Sequence, residues 1–260
     1  MNSQDNRDEN LTAAAELIQS AAGDGAKLVV LPEYSNYLSD EARLEHAETL
    51  DGPTMSFFSE QARTHNIYLH CGSIIEQSEE PSKAYNTSVL LNPKGEIVAC
   101  YRKIHLFDLF IPGQVDARES KHLKPGNKAV AKRTELGTFG MTICYDMRFP
   151  ELYRKLTDQG ANLIFVPSAF TLYTGKDHWE PLLRTRAIEN LIYIVAPAQF
   201  GVHPKNKRCF GSSMIIDPWG TVIAKASEGV GYTIANVNWR LQKSIRQKLQ
   251  ALNHRVPIKD

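Results

Sequence analysis

Short aliphatic runs alternate with stretches of helical periodicity along the whole chain, and that alternation admits few folds. Lys27-Leu28-Val29-Val30-Leu31 is the first such run, closed by Pro32, with the continuous apolarity of a strand buried on both faces. Before it, Asn6 and Glu9 have the spacing of a capping box. Leu11, Ala14, Ala15, Ile18, Ala21 and Ala22 then recur at helical intervals until Gly23 and Gly25 stop them. The same reading predicts a helix over 54–65, a strand over 67–75, and a strand over 87–91 ending in the turn Asn92-Pro93-Lys94-Gly95. Further on it predicts a strand running into Cys144, a helix over 151–159 behind Pro150, and a strand over 161–166. A helix over 178–190, a strand over 192–196 and two strands flanking Asp217-Pro218-Trp219-Gly220 complete the series. Interleaved elements of this kind give an α/β protein with helices outside sheets.

No Pro/Gly/Ser-rich linker or internal repeat divides the 260 residues, so one domain over 1–260 is expected. With 42% hydrophobic residues such a chain can bury a core without a metal or cross-link. Its 30 Lys+Arg against 29 Asp+Glu give no broad basic field, so neither nucleic acid nor an anionic membrane is expected as a partner. The basic runs 205–208 and 240–248 read as a solvated loop and a solvated helix face. The longest apolar runs fall far short of the ~20 residues that span a bilayer, and the polar start MNSQDNRDEN is unlike a signal peptide. A cytoplasmic protein is expected. Cys71, Cys100, Cys144 and Cys209 stand far apart without a CxxC pair, and no HExxH or HxxxH occurs, which argues against a metal site.

One cysteine has distinctive neighbours. In Met141-Thr142-Ile143-Cys144-Tyr145-Asp146-Met147-Arg148-Phe149-Pro150-Glu151 a thiol ends a strand and a proline-started helix follows almost at once. A nucleophile at such an elbow projects into a crevice at the carboxyl edge of a sheet, beside backbone N–H groups suited to a developing oxyanion. A thiol with a pKa near ~8.5 is only about 3% ionised at pH 7, so Cys144 needs a base or a cation nearby. Glu33, behind a buried strand and Pro32, and Lys103, a charge inside the strand-like run Tyr101-Arg102-Lys103-Ile104-His105, are the candidates; isolated Glu and Lys side chains more often lie on the surface.

Leu-Pro-Glu, Tyr-Arg-Lys-Ile-His and Ile-Cys-Tyr-Asp-Met-Arg-Phe-Pro-Glu occur in this order, each at or beside a strand. Together they resemble the carbon–nitrogen hydrolase, or nitrilase, superfamily over nearly the whole chain. The resemblance implies a four-layer α-β-β-α sandwich and a Glu–Lys–Cys catalytic set at Glu33, Lys103 and Cys144, with Glu119 as an additional active-site glutamate. It implies no cofactor, and a homodimer or higher homo-oligomer in which residues 241–257 form a tail reaching the partner. Longer passages are similar to the branch that hydrolyses deaminated glutathione, a metabolite-repair activity: residues 101–108, Ile111-Pro112-Gly113-Gln114, Pro167-Ser168-Ala169-Phe170, His178-Trp179-Glu180 and residues 217–222. In this family a strand ordinarily precedes the loop that here reads Met1-Asn2-Ser3. Without it, unpaired strand edges and a cleft in the apolar layer are expected.

In the chemistry so implied, Glu33 shuttles the proton, Cys144 attacks the carbonyl carbon, and Lys103 and the Tyr145 N–H hold the oxyanion. Glu33 then needs a proton part of the time, which favours apolar walls around it, while Lys103 stays charged with help from Glu119. Arg148, close behind Cys144, is the candidate for a substrate carboxylate, with pairing to Glu151 as the plainer reading; Arg186 and His178 are weaker candidates. The expected ligand is a small amide. The alternatives are an ω-amidase, an N-carbamoyl amidohydrolase, a nitrilase, or a non-catalytic binding protein on the same scaffold. A pocket thiolate reactive with iodoacetamide well below pH 8 separates an enzyme from an inert cysteine.

Overall fold

The computed structural model describes residues 1–39 and 43–256. Helix α1 (Arg7–Gly23) starts where the Asn6 side chain accepts the N–H groups of Asp8 and Glu9, satisfying donors that every helix start leaves orphaned. The reciprocal contact differs from a full capping box, because the Glu9 carboxylate takes the Asn6 side-chain amide at 2.8 Å. Leu11, Ala14, Ile18 and Ala21 form the buried face of α1.

Strand β1 (Leu28–Val30) runs parallel to β2 (Tyr68–His70), and α2 (Pro53–His65) connects them over the outer face. The remaining strands of this five-stranded sheet are β3 (Ile74–Gln77), β4 (Ala84–Leu91) and β5 (Ile97–Arg102). The long β4 is antiparallel to β2 and β3 along one edge and to β5 along the other. A separate hairpin follows, β6 (Asp108–Ile111) with β7 (Val115–Arg118).

The second sheet is built around three parallel strands, β9 (Thr138–Met141), β10 (Leu163–Phe165) and β11 (Tyr193–Ala196), in the register expected when helices cross between strands. The crossovers are α3 (Pro150–Asp158) and α4 (Leu172–Asn190). Antiparallel strands close both edges of this sheet: β8 (Val130–Arg133) beside β9, and β14 (Met214–Ile216) with β15 (Val222–Lys225) beside β11. Between β11 and β14 the chain makes a hairpin of β12 (Phe200–His203) and β13 (Lys207–Phe210), and it ends in α5 (Trp239–Lys248).

The layers follow from which faces are apolar. Ile18 and Phe58 of α1 and α2 pack on Leu69 and Val89 of the first sheet. Leu156 and Trp179 of α3 and α4 cover the second. Between the sheets, Leu90, Ala99 and Tyr101 meet Phe139, Met141 and Phe165; burying a side chain the size of Leu, Met or Phe contributes about 1.5–3 kcal/mol. This is the α-β-β-α sandwich that the motifs implied. His70 sits in the intersheet layer, its ring 4.5 Å from that of Phe165, and burial pushes it down to about 3, so it is neutral.

Two departures from the sequence reading have local causes. The strand expected over 67–75 is two strands, because the chain turns at Gly72, whose φ is +68°. A Cβ there would sit 1.9 Å from the Pro32 carbonyl oxygen, so only glycine lets the Glu33 loop lie against this turn. Helix α4 begins six residues before the expected start at His178 and carries Pro181 in its interior. Residues 241–248 lie in α5, where Gln242 donates to the carbonyls of Asn162 and Leu191 at 2.8 and 3.0 Å; Pro257 lies outside the described residues. Strand β1 ends its sheet, and a cavity of about 580 Å³ lies beside it, lined by Val29, Leu31, Phe139, Val195, Tyr232 and Ile234 among others. Among the described residues no helix is long and apolar enough to cross a membrane, and no group of three or more His, Cys, Asp or Glu side chains is placed to hold a metal.

Candidate active site

Strand β9 delivers Cys144 to a sharp turn. Its φ is +45° and its N–H donates to the Pro167 carbonyl at 2.9 Å. A non-glycine residue held in this region costs on the order of 1–3 kcal/mol, so the surroundings must impose it. Asp146 supplies the clamp. One carboxylate oxygen accepts the Ile143 N–H at 2.8 Å and the Tyr101 hydroxyl at 2.7 Å. The other accepts the His105 N–H at 3.1 Å and contacts His105 Nδ1 at 2.7 Å. Asp146 is fully buried, so it ties the elbow to the residues on either side of Lys103. Arg186 pins the same turn from α4, its Nε donating to the Met147 carbonyl at 2.8 Å while Nη1 meets Glu189 at 2.7 Å. That placement makes Arg186 a brace of the elbow, not a substrate contact.

Glu33 reaches the site from a loop seated on the link between β2 and β3. Tyr34 N–H donates to Ser73 Oγ at 3.0 Å, Ser35 Oγ donates to the Cys71 carbonyl at 2.6 Å, and Gln199 Nε2 donates to the Glu33 carbonyl at 2.9 Å. Lys103 leaves the end of β5 and Glu119 follows β7. The Lys103 ammonium lies 2.9 Å from Glu33 Oε1 and 2.9 Å from Glu119 Oε2. Glu119 is further fixed by the Tyr34 hydroxyl on Oε1 at 2.7 Å and the Phe107 N–H on Oε2 at 2.8 Å. The structure therefore brings Glu33, Lys103, Glu119 and the Cys144 elbow together, from four separate stretches of chain.

Burial, then the Glu33 charge, pushes the Cys144 thiol well above its ordinary range, and Lys103 only partly offsets them. The expected pocket thiolate is thus corrected: in low dielectric beside a carboxylate the resting group is the thiol, and an anion forms only as the proton moves. The apolar walls expected around Glu33 are corrected as well. Its carboxylate is held by donors: the Lys103 ammonium and Asn86 Nδ2 on Oε1, both at 2.9 Å, and the Ala169 N–H on Oε2 at 2.8 Å. Burial alone would lower Lys103, yet the Glu119 and Glu33 charges hold it well above the lysine range. Burial likewise opposes ionisation of Glu119, but the Lys103 charge and the Phe107 N–H outweigh it and keep this carboxyl below its usual range.

Tyr145 follows Cys144 in the turn, its ring edge-on to Phe107 and Phe149 at 5.0 and 5.4 Å. Arg148 ends the same turn, with its guanidinium 5.4 Å from the Phe170 ring and Nη2 3.3 Å from His178 Nδ1. Among the described residues it forms no ion pair with Glu151; its guanidinium also lies 5.8 Å from the Tyr145 ring. Asn86, Tyr34, Asp146 and the Ala169 N–H were missed in the sequence. A signal existed for two of them: Asn86 interrupts the β-favouring run Tyr85-Asn86-Thr87-Ser88-Val89, and Asp146 is an acid inside the elbow motif.

Comparison with known proteins agrees with this geometry. The family profile described as carbon-nitrogen hydrolase matches residues 1–247. The chain is 44% identical over 260 residues to the deaminated glutathione amidase of Synechocystis sp., covering 98% of this chain and 96% of the relative. Its fold superimposes on the crystal structure of the Caenorhabditis elegans NitFhit protein with a TM-score of 0.92 at 38% identity, covering 98% of this chain and 63% of that longer one. A Saccharomyces cerevisiae member of branch 10 of the nitrilase superfamily gives a TM-score of 0.86 at 34% identity, over 95% of this chain and 90% of that one.

Proposed function

The chain belongs to the carbon-nitrogen hydrolase family, and from that premise we propose that it cleaves the amide bond of deaminated glutathione through a covalent Cys144 intermediate, releasing 2-oxoglutarate and cysteinylglycine. The chemistry rests on one observation: Lys103 bridges Glu33 and Glu119 at 2.9 Å each, beside a thiol that feels the Glu33 charge. The choice of substrate rests on the similarity to relatives that carry that name.

Glu33 accepts the Cys144 proton as the sulfur attacks the amide carbon, and the carbonyl electrons move onto oxygen beside the Lys103 ammonium and the Tyr145 N–H. Glu33 passes the proton to the amide nitrogen, the C–N bond breaks, and cysteinylglycine departs from a thioester. A water then gives a proton to Glu33 and attacks the thioester; the C–S bond breaks and the proton returns to sulfur. A positioned base of this kind contributes about 10²–10⁴-fold, and each fixed oxyanion donor about 10²–10³-fold. Every step is met by side-chain and backbone groups, so no cofactor enters the scheme. Glu119 keeps Lys103 charged and in place, and Arg148 takes a substrate carboxylate.

The test is kcat/KM for deaminated glutathione, the ω-amide 2-oxoglutaramate, an N-carbamoyl amino acid and a nitrile, with the wild type and Arg148→Ala. Deaminated glutathione should lead by about 10⁴, the discrimination open to a site that pairs a polar head group. Arg148→Ala should raise KM about ten-fold for it, the effect of losing one charge-assisted contact, with kcat little changed. A different leader overturns the substrate, and no turnover of any of them favours a binding protein. We further propose a cytoplasmic homodimer. Four cysteines that remain free suit a reducing compartment. Ile188 on α4 and Trp219, 46% and 63% exposed, leave apolar surface for a second copy; light scattering should return twice the chain mass, and a monomer mass rejects it.

A further inference from the structure

Asn86 is out of place by every local rule. It sits inside β4, where asparagine is disfavoured, and is fully buried, where an amide is costly. Its Oδ1 has no hydrogen-bond partner among the described residues. An aliphatic side chain of similar size would remove all three penalties. What Asn86 adds is one contact, Nδ2 donating to Glu33 Oε1 at 2.9 Å. The amide orientation is set by that neighbour, since turning it over would press Oδ1 against a carboxylate oxygen. Its backbone is held as firmly: β4 is paired on both edges, and the Asn86 carbonyl accepts the Lys103 N–H at 2.9 Å. Asn86 and Lys103 therefore approach Glu33 as a fixed cross-strand pair.

A carboxylate oxygen has two lone-pair directions. Both at Oε1 are taken, by Lys103 Nζ and Asn86 Nδ2, whereas among the described residues Oε2 accepts the Ala169 N–H and faces the Cys144 side with its second direction. We propose that Asn86 is a positioning residue for the general base: with Lys103 it fills Glu33 Oε1, fixes the orientation of the carboxyl group, and leaves Oε2 to receive the Cys144 proton. The inference rests on the amidase reading above and deepens it. The other ionisable groups facing Glu33 are Cys144 from the elbow, Cys209 from β13, and Tyr34 with Glu119 and Arg43 behind it. None of these occupies the place of Asn86.

The experiment is the pH profile of kcat/KM between pH 5 and 9 for Asn86→Ala, Asn86→Ser and Asn86→Asp, with deaminated glutathione as the probe and Tm measured alongside. Losing one hydrogen bond to a charged group changes proton affinity about ten-fold, so the acid limb for Asn86→Ala should move up by about one pH unit. The loss should approach ten-fold on the acid side of the limb and vanish on its alkaline side. Asn86→Ser, which keeps a donor, should return part of the shift, and Asn86→Asp, which sets a second carboxylate against Glu33, should lose most. An equal loss at every pH, or no loss, overturns the proposal and leaves Asn86 a packing residue. Should Asn86→Ala not fold, Asn86→Ser against Asn86→Asp gives the same reading. Glu33→Gln and Cys144→Ala separate the two layers: if either keeps full turnover the amidase mechanism fails, whereas inactive controls with an unmoved Asn86→Ala limb reject Asn86 alone. The pH dependence of Cys144 alkylation by iodoacetamide, followed by peptide mass, repeats the test without a substrate.

Discussion

Cys144→Ala is expected to lower turnover by at least about 10⁴-fold while shifting Tm by only a few degrees, because in the proposed mechanism the residue supplies the attacking atom, and it supplies little of the packing. No neighbouring thiol can take over. Cys209 also feels the Glu33 charge and burial has pushed it up to about 12, but it sits within β13, outside the elbow that presents Cys144. The stability cost is one sulfur atom in a buried site, about 1 kcal/mol, which for a chain of this size is about 2–4 °C. The backbone sharpens the test. At φ +45° alanine inherits the strain that cysteine carries, whereas glycine is free of it, so Cys144→Gly should be equally inactive and melt above the alanine variant. With the wild type, hydroxylamine should intercept the thioester as a hydroxamate; with either variant none should form. An alanine variant within ten-fold of the wild type would falsify the thioester route.

How much of this was written in the sequence depends on how local each feature is. The elbow was legible because its parts are adjacent: the strand before Cys144, the turn, and Pro150 starting α3. The alternation of apolar runs with helical spacing likewise gave the layers. The break at Gly72 was not legible, since its cause is the approach of Pro32, forty residues away, within 1.9 Å of where a Cβ would stand. The early start of α4 was hidden by Pro181, which local rules place near a helix start although the fold tolerates it in the interior. Glu33 and Lys103 are 70 positions apart, and nothing in either neighbourhood shows that they touch; only the resemblance joined them. The environment of Glu33 was misread for the same reason, because its donors come from β4, β5 and the loop at Ala169. Asp146 shows the limit from the other side: it lay in full view inside the motif, yet its partners Tyr101 and His105 are 45 and 41 positions away.

Lys103→Met should cost both activity and stability, and the stability loss should depend on pH in a direction fixed by the site. Methionine fills the space of the lysine stem but leaves Glu33 and Glu119 buried without their shared cation. Breaking a buried pair in this way costs about 3–5 kcal/mol, or about 10 °C in Tm. In the wild type the Glu119 carboxyl lies below its ordinary range despite burial, because of Lys103. Its contribution to stability is therefore present above the unfolded carboxylate pKa of about 4.3 and fades as pH falls through the folded value. Without the cation, burial and mutual repulsion raise both carboxyl groups, so the variant retains its stability below the unfolded pKa and loses it as pH rises. The gap between the two melting curves should be widest near pH 7–8 and close toward pH 4. Turnover should remain low even at acidic pH, since protonated carboxyls neither accept the Cys144 proton nor replace the ammonium beside the oxyanion. Adding Glu119→Gln to Lys103→Met should recover part of the lost Tm at neutral pH without recovering activity. Parallel melting curves from pH 4 to 8 would mean that the lysine holds the site by packing, and the electrostatic account of this cluster would have to be abandoned.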